Sequence, residues 1–211
     1  MTEPIFELAV RQVKPDRMSD FSVARKAFID KWRTQPGVTA DREFEALLTL
    51  PTPLDGVFVG MTAWESAVDY ENASKAFWGG LELTAFMDTV TLPAFALLTQ
   101  TEGDPIDLST LAAKPGQVLE IAVRRPKGVT VQAFDLARKG FVKVLADQPG
   151  VLAAYEFAIQ GEPVDGARVG MTVYASKAEW QGAMKSSAAS PAGPAFFAVI
   201  EPTIIAYVES I

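Results

Sequence analysis

The chain has 211 residues, of which 49% are hydrophobic and 21% charged, a globular balance lying between one large domain and two small ones. It contains no Cys and no His, which excludes a Cys/His zinc site, a thiolate nucleophile, a Ser-His-Asp triad and a His-ligated haem. Net charge is −7 and the pI about 4.7, with no basic cluster longer than the Arg124-Arg125 pair, so the positive face that nucleic acid requires is missing.

The opening MTEPIFELAV has neither the basic flank nor the apolar run of a signal peptide, and no stretch approaches 18 consecutive apolar residues. These features predict a soluble cytoplasmic protein with no membrane partner. The first strand is expected over Ile5–Gln12, where Phe6, Leu8 and Val10 alternate with Glu7, Ala9 and Arg11. In the helix that follows, Phe21, Ala24, Phe28 and Trp32 recur at helical spacing as a stripe that must pack on a sheet. Gln-Pro-Gly ends it, because Pro cannot continue the hydrogen-bond ladder and Gly accepts left-handed geometry. Two strands around Glu43–Leu50 and Val57–Trp64 then read as a hairpin over a turn bearing Pro and Gly. A second helix opens at Ser66 with Asp69 three residues on, a capping box, and Gly79-Gly80 stops it before a final strand.

The order then repeats. Sliding the chain by 113 residues aligns Phe6–Ala46 with Leu119–Ile159 without a gap, and about 17 of 41 positions are identical, against roughly 6% expected by chance. Ala24–Val38 returns as Ala137–Val151. Further on, Pro53-Leu54-Asp55-Gly56 meets Pro163-Val164-Asp165-Gly166, Val59-Gly60-Met61-Thr62 meets Val169-Gly170-Met171-Thr172, and the capping box recurs as Ser176 and Glu179. This predicts a tandem duplication: residues 1–101 and 118–211 as βαββαβ halves, joined by a linker over 102–117 with room for one short helical turn. The segment Ser186–Pro194, SSAASPAGP, reads as a mobile loop.

Each strand has one wholly apolar face. Giving that face to the helices points the opposite one into a barrel lumen, which assigns Glu7, Ala9, Arg11 and Glu120, Ala122, Arg124 to the lumen, joined by Glu43 and Glu156. The third strands add Phe58, Gly60, Thr62, Trp64 and Arg168, Gly170, Thr172, Tyr174. A Gly and a Thr between larger residues leave a hollow, and two readings of it stand side by side. In one, it is a pocket for a small aromatic or amphipathic ligand. In the other, Gly permits close backbone approach and the Glu and Arg residues form structural ion pairs across the barrel. Arg25 and Arg138 lie beside the apolar helical stripes and reach either solvent or a buried carboxylate. Between the copies Phe58 becomes Arg168, Trp64 becomes Tyr174, Arg42 becomes Tyr155 and Asp41 becomes Ala154, so two such cavities have different chemistry: one is expected to bind a ligand, the other to be filler.

Two βαββαβ halves, with QPG(V) closing the first helix and Trp64-Glu65-Ser66 opening the second, resemble the antibiotic biosynthesis monooxygenase group of the dimeric α+β barrel superfamily. The resemblance implies an α+β fold in which two ferredoxin-like sheets close one barrel, here as an intramolecular pseudo-dimer, and it leaves a further homodimer open. It also implies a cofactor-free oxidation of an aromatic, polyketide-like molecule. Without His, the base for that chemistry comes from Glu7, Glu43, Glu120 or Glu156, and Arg11, Arg124 or Arg168 holds the oxyanion. The alternatives are a non-catalytic small-ligand or stress-responsive barrel, which a cavity under about 300 Å³ favours, and an interaction scaffold using the apolar segment Ala192–Ile200.

Overall fold

A computed structural model describes residues 3–161 and 166–211. The Pro163-Val164-Asp165 part of the second expected turn lies outside them. Among the described residues the elements run β1 (Ile5–Val13), α1 (Met18–Trp32), β2 (Val38–Leu50), β3 (Val57–Trp64), α2 (Ala67–Phe77), α3 (Leu81–Met87) and β4 (Val90–Glu102), followed by a 3-10 turn at Leu108–Thr110. They continue as β5 (Val118–Pro126), α4 (Val131–Ala146), β6 (Val151–Ile159), β7 (Arg168–Tyr174), α5 (Lys177–Ala189), α6 (Ala192–Phe197) and β8 (Ile200–Ser210). The strands close one antiparallel barrel in the order β1-β3-β2-β8-β5-β7-β6-β4. Each half of the chain supplies four neighbouring strands, and the seams are β2 against β8 and β4 against β6. Among the described residues, no helix is long and apolar enough to cross a membrane.

The local signals act where expected. Ser66 Oγ accepts from the Asp69 amide, and Ser176 Oγ accepts from the Glu179 amide. Past α1 and α4 the chain turns through Gly37 (φ 86°) and Gly150 (φ 77°), a conformation that disfavours other residues. A Cβ at either position would strike the Asp69 or Glu179 side chain at the start of the next helix.

The strand faces are the reverse of the expected assignment. Phe6, Leu8, Val10, Phe44, Val59 and Met61 meet Leu119, Ile121, Val123, Phe157, Val169 and Met171 inside the barrel as one dry core. Thus the lumen is solid, and the Glu7–Arg11 and Glu120–Arg124 faces lie under the helices. The physical reason is that two wholly apolar faces satisfy each other, at roughly 2 kcal/mol for each large side chain withdrawn from water. The opposite face is apolar only at its ends: Ile5, Val13, Phe58 and Trp64 pack with Phe21, Phe28 and Trp32 of α1. Polar residues hold its middle.

Two further expectations are corrected. The segment Ser186–Pro194 is not a loop, since α5 runs to Ala189 and α6 begins at Ala192, packing Phe196 on Phe141 of α4 with ring centroids 4.7 Å apart. Its small residues allow that close packing; Gly193 lies against the Ala188 backbone. Gly79-Gly80 stops α2, but a second short helix, α3, follows immediately. In the linker, the 3-10 turn and its flank send Leu108, Leu111 and Ala112 into the lumen core.

Candidate functional site

The residues singled out in the sequence gather beneath the helices in two clusters, one per half, and not in a shared lumen. In the first half, Glu7 and Arg11 stand on β1, four residues apart on one face. Arg11 donates to both carboxylate oxygens of Glu43 on β2, at 2.9 and 2.8 Å. This pair occupies the expected hollow: a Cβ at Gly60 would collide with the Arg11 guanidinium and the Glu43 carboxylate. Arg25 of α1 stands 3.6 Å from Glu43 and within 6 Å of the Phe21 and Phe58 rings. Glu7 is buried and accepts from the Trp32 indole N–H at 3.1 Å. Burial pushes its carboxyl up to about 7, against the opposing pull of Arg11 and of the Trp32 and Trp64 indoles. Trp64 is fully buried, and its N–H has no regular hydrogen-bond partner.

The second half has the same skeleton with different chemistry. Arg124 pairs with Glu156, and Gly170 makes room for its guanidinium. Arg138, the α4 residue matching Arg25, is 2% exposed. It lies 3.2 Å from Glu156 Oε2, 3.4 Å from Asp135 and 2.7 Å from Glu102, which arrives on the end of β4. Of the two expectations for Arg138, the carboxylate is the one observed. Arg168 stands 3.3 Å from Asp135. Glu120 accepts from Tyr174 Oη at 2.6 Å; burial raises its carboxyl, and burial together with the Glu120 charge raises the Tyr174 phenol.

Thr62 and Thr172 are buried beside these groups. Ala9 and Ala122 lie on the same face, opposite Gly60 and Gly170 in the strand register. Tyr155, which replaces Arg42, packs against the lumen core.

The space differs too. Beneath α4 lies an enclosed cavity of about 30 Å³, bordered by Glu120, Arg124, Glu156, Gly170, Thr172 and Phe141. That is room for no more than one water. In the first half, an open groove of about 650 Å³ runs between α1 and the start of β2, ahead of its pairing with β8, reaching Arg25 and Glu43. Sequence reasoning missed Glu102, Asp135 and the donor role of Trp32. One signal was available: an Arg in a buried helical stripe implies an acidic face below it.

Neither a protein-family model nor a curated protein sequence matches the chain. Solved structures do share its fold. A monooxygenase candidate from Fusobacterium nucleatum superposes with TM-score 0.64 at 12% identity, covering 99% of this chain and 93% of that one. A chlorite dismutase candidate gives 0.68 at 9%, covering 100% and 96%. An anthrone oxidase-like protein gives 0.66 at 12%, covering 99% and 92%. At these identities the likeness is one of fold alone.

Proposed function

We propose that the chain is a cofactor-free oxygenase of aromatic, polyketide-like molecules, with Glu7 as its base. In this reading residues 1–101 and 118–211 are tandem ferredoxin-like copies forming an intramolecular pseudo-dimer, and the first copy is the working one. The observation that carries it is Glu7 itself: a buried carboxyl, ringed by indoles, with a proton affinity matched to neutral pH. The fold neighbours described as a monooxygenase candidate and an anthrone oxidase-like protein support the class.

Glu7 would take a proton from the activated CH₂ of an anthrone-type phenol, while Arg11 favours the resulting anion. The carbanion passes one electron to O₂, the radical pair joins as a peroxide on the same carbon, and loss of water leaves a ketone. The balance is CH₂ + O₂ → C=O + H₂O. This reading requires an opening from the groove past Arg25 and Glu43 to the buried Glu7, with Trp32 moving off it. An oxygen electrode with a panel of anthrones tests this. Uptake should rise with pH through about 7 as Glu7 ionises, and fall about 100-fold or more in Glu7→Gln. No uptake from any member of the panel overturns it.

A second reading, a non-catalytic small-ligand or stress-responsive barrel, is favoured by the roughly 30 Å³ cavity of the second half, far below the size of a ligand pocket. It predicts no turnover in either half.

A further inference from the structure

In the first half one buried carboxyl faces two indole N–H groups, and only one of them is engaged. Trp32 of α1 donates to Glu7 Oε2 at 3.1 Å. Trp64 of β3 bears on the same carboxyl from the strand side, its ring edge to face with that of Trp32 at 5.1 Å between centroids. Its Nε1, however, is sealed from water without an acceptor. A buried donor left unpaired is costly and rare in a folded chain, so it calls for a reason. The second half supplies one. Glu7 lies two residues along β1 from Ile5, the cross-strand partner of Trp64, and Glu120 stands in the same relation to Val118 and Tyr174. There the ring's donor is engaged: Tyr174 Oη donates to Glu120 Oε2 at 2.6 Å. Position 64 is thus the place from which a ring reaches this carboxyl.

The other groups around Glu7 are less free to answer its charge. The charged and titratable ones that bear on it are Arg11 on its own strand, Glu43 on β2 and Tyr70 on α2. Arg11 is engaged with both oxygens of Glu43. Tyr70 is half-buried with its ring against both indoles, and the cross-strand neighbours of Glu7 are Thr62 and Leu97. A buried carboxyl that keeps its proton needs little help, whereas a buried carboxylate is held only where several donors converge on it. We propose that Trp64 is a positioning residue for the base, its N–H closing on Glu7 when the carboxyl gives up its proton. This rests on Glu7 being the base and adds how the site holds the anion that results.

Indole N–H NMR on the full chain tests this without substrate. The Trp64 resonance should move downfield as pH climbs through about 7, sharing its midpoint with the Glu7 carboxyl carbon, while that of the exposed Trp78 stays still. Trp64→Phe keeps a ring without a donor and should raise the Glu7 midpoint by about one unit. Trp64→Tyr installs the second half's donor and should bring the midpoint back to within about half a unit of the parent's, which keeps the proposal testable if Trp64→Phe does not fold. In oxygen uptake, the rising limb of the pH profile should move up with the midpoint in Trp64→Phe and return in Trp64→Tyr. A Trp64 resonance that ignores the Glu7 titration, or an unmoved midpoint in Trp64→Phe, overturns the proposal. A midpoint that depends on position 64 in a chain without oxygen uptake keeps the pairing and removes the base.

Discussion

The two interfaces between sheet and helices start from one skeleton and close it by different means. Beneath α4 the closure is ionic: Arg138 bridges Glu156, Asp135 and the incoming Glu102, and the remaining space is about 30 Å³, room for no more than one water. Gly103 then lies along the β6 edge, against the backbone of Ala154 and Tyr155. Beneath α1 the closure is aromatic. Phe58 takes the place of Arg168 and stacks near Phe21 with centroids 4.7 Å apart, while Arg25 stays a quarter exposed at the groove. The ionic network fills most of the space beneath α4, whereas rings pack beneath α1 and one partly exposed arginine borders the open groove beside it. In a sheet closed by symmetry the two interfaces would be alike; on one chain they can diverge.

The largest expected difference lies in the ion pairs. Glu156→Gln leaves Arg124 and Arg138 buried without their shared carboxylate and should cost about 3–5 kcal/mol in urea unfolding. The matched Glu43→Gln, beside a hydrated Arg25, should cost about half as much. Equal costs would erase the contrast between the halves.

Next comes pH. Burial raises the Glu7 carboxyl in the folded chain to about 7, from an ordinary value of 4.5. Between these values the folded chain binds more protons than the unfolded one. Glu7 therefore favours folding fully below 4.5, and that contribution is lost as pH climbs through 7, about 3 kcal/mol in all. Glu7→Gln removes this slope, so the variant should gain about 3 kcal/mol on the parent between pH 4 and pH 8. Parallel curves for the two proteins would place Glu7 in water. The smallest effect belongs to Trp32→Phe, which keeps a ring but loses the N–H on Glu7. It should cost about 1 kcal/mol and move the Glu7 midpoint, followed by carboxyl carbon NMR, further up. An unmoved midpoint would show that the indole does not bear on the base.

Much of the fold is legible in the residues. The strand alternation, the Gln-Pro-Gly stops and the Ser66 and Ser176 caps each act locally, so a local reading finds them. The facing of the sheets is not local. Phe6, Leu8 and Val10 resemble a surface made for a helix, and only closure of the barrel gives them a better partner in Leu119, Ile121 and Val123. The helices instead accept a face with polar residues at its centre, because Arg11 and Glu43 satisfy each other there and Ile5, Val13 and Trp64 supply the apolar contact. Arg25 and Arg138 in the helical stripes were the sequence's record of that choice. Glu102 and the linker plug of Leu108 and Leu111 were hidden for a related reason: polar, Pro-bearing connections give no periodicity, and their contacts appear only once the seams form.

The most direct measurement compares Glu7→Gln with Glu120→Gln in oxygen uptake on one anthrone substrate, both variants being checked for folding. A base at work only in the first half predicts a loss of about 100-fold or more for Glu7→Gln and a change of at most about threefold for Glu120→Gln. Equal losses, or a loss confined to Glu120→Gln, would contradict the division between the two halves.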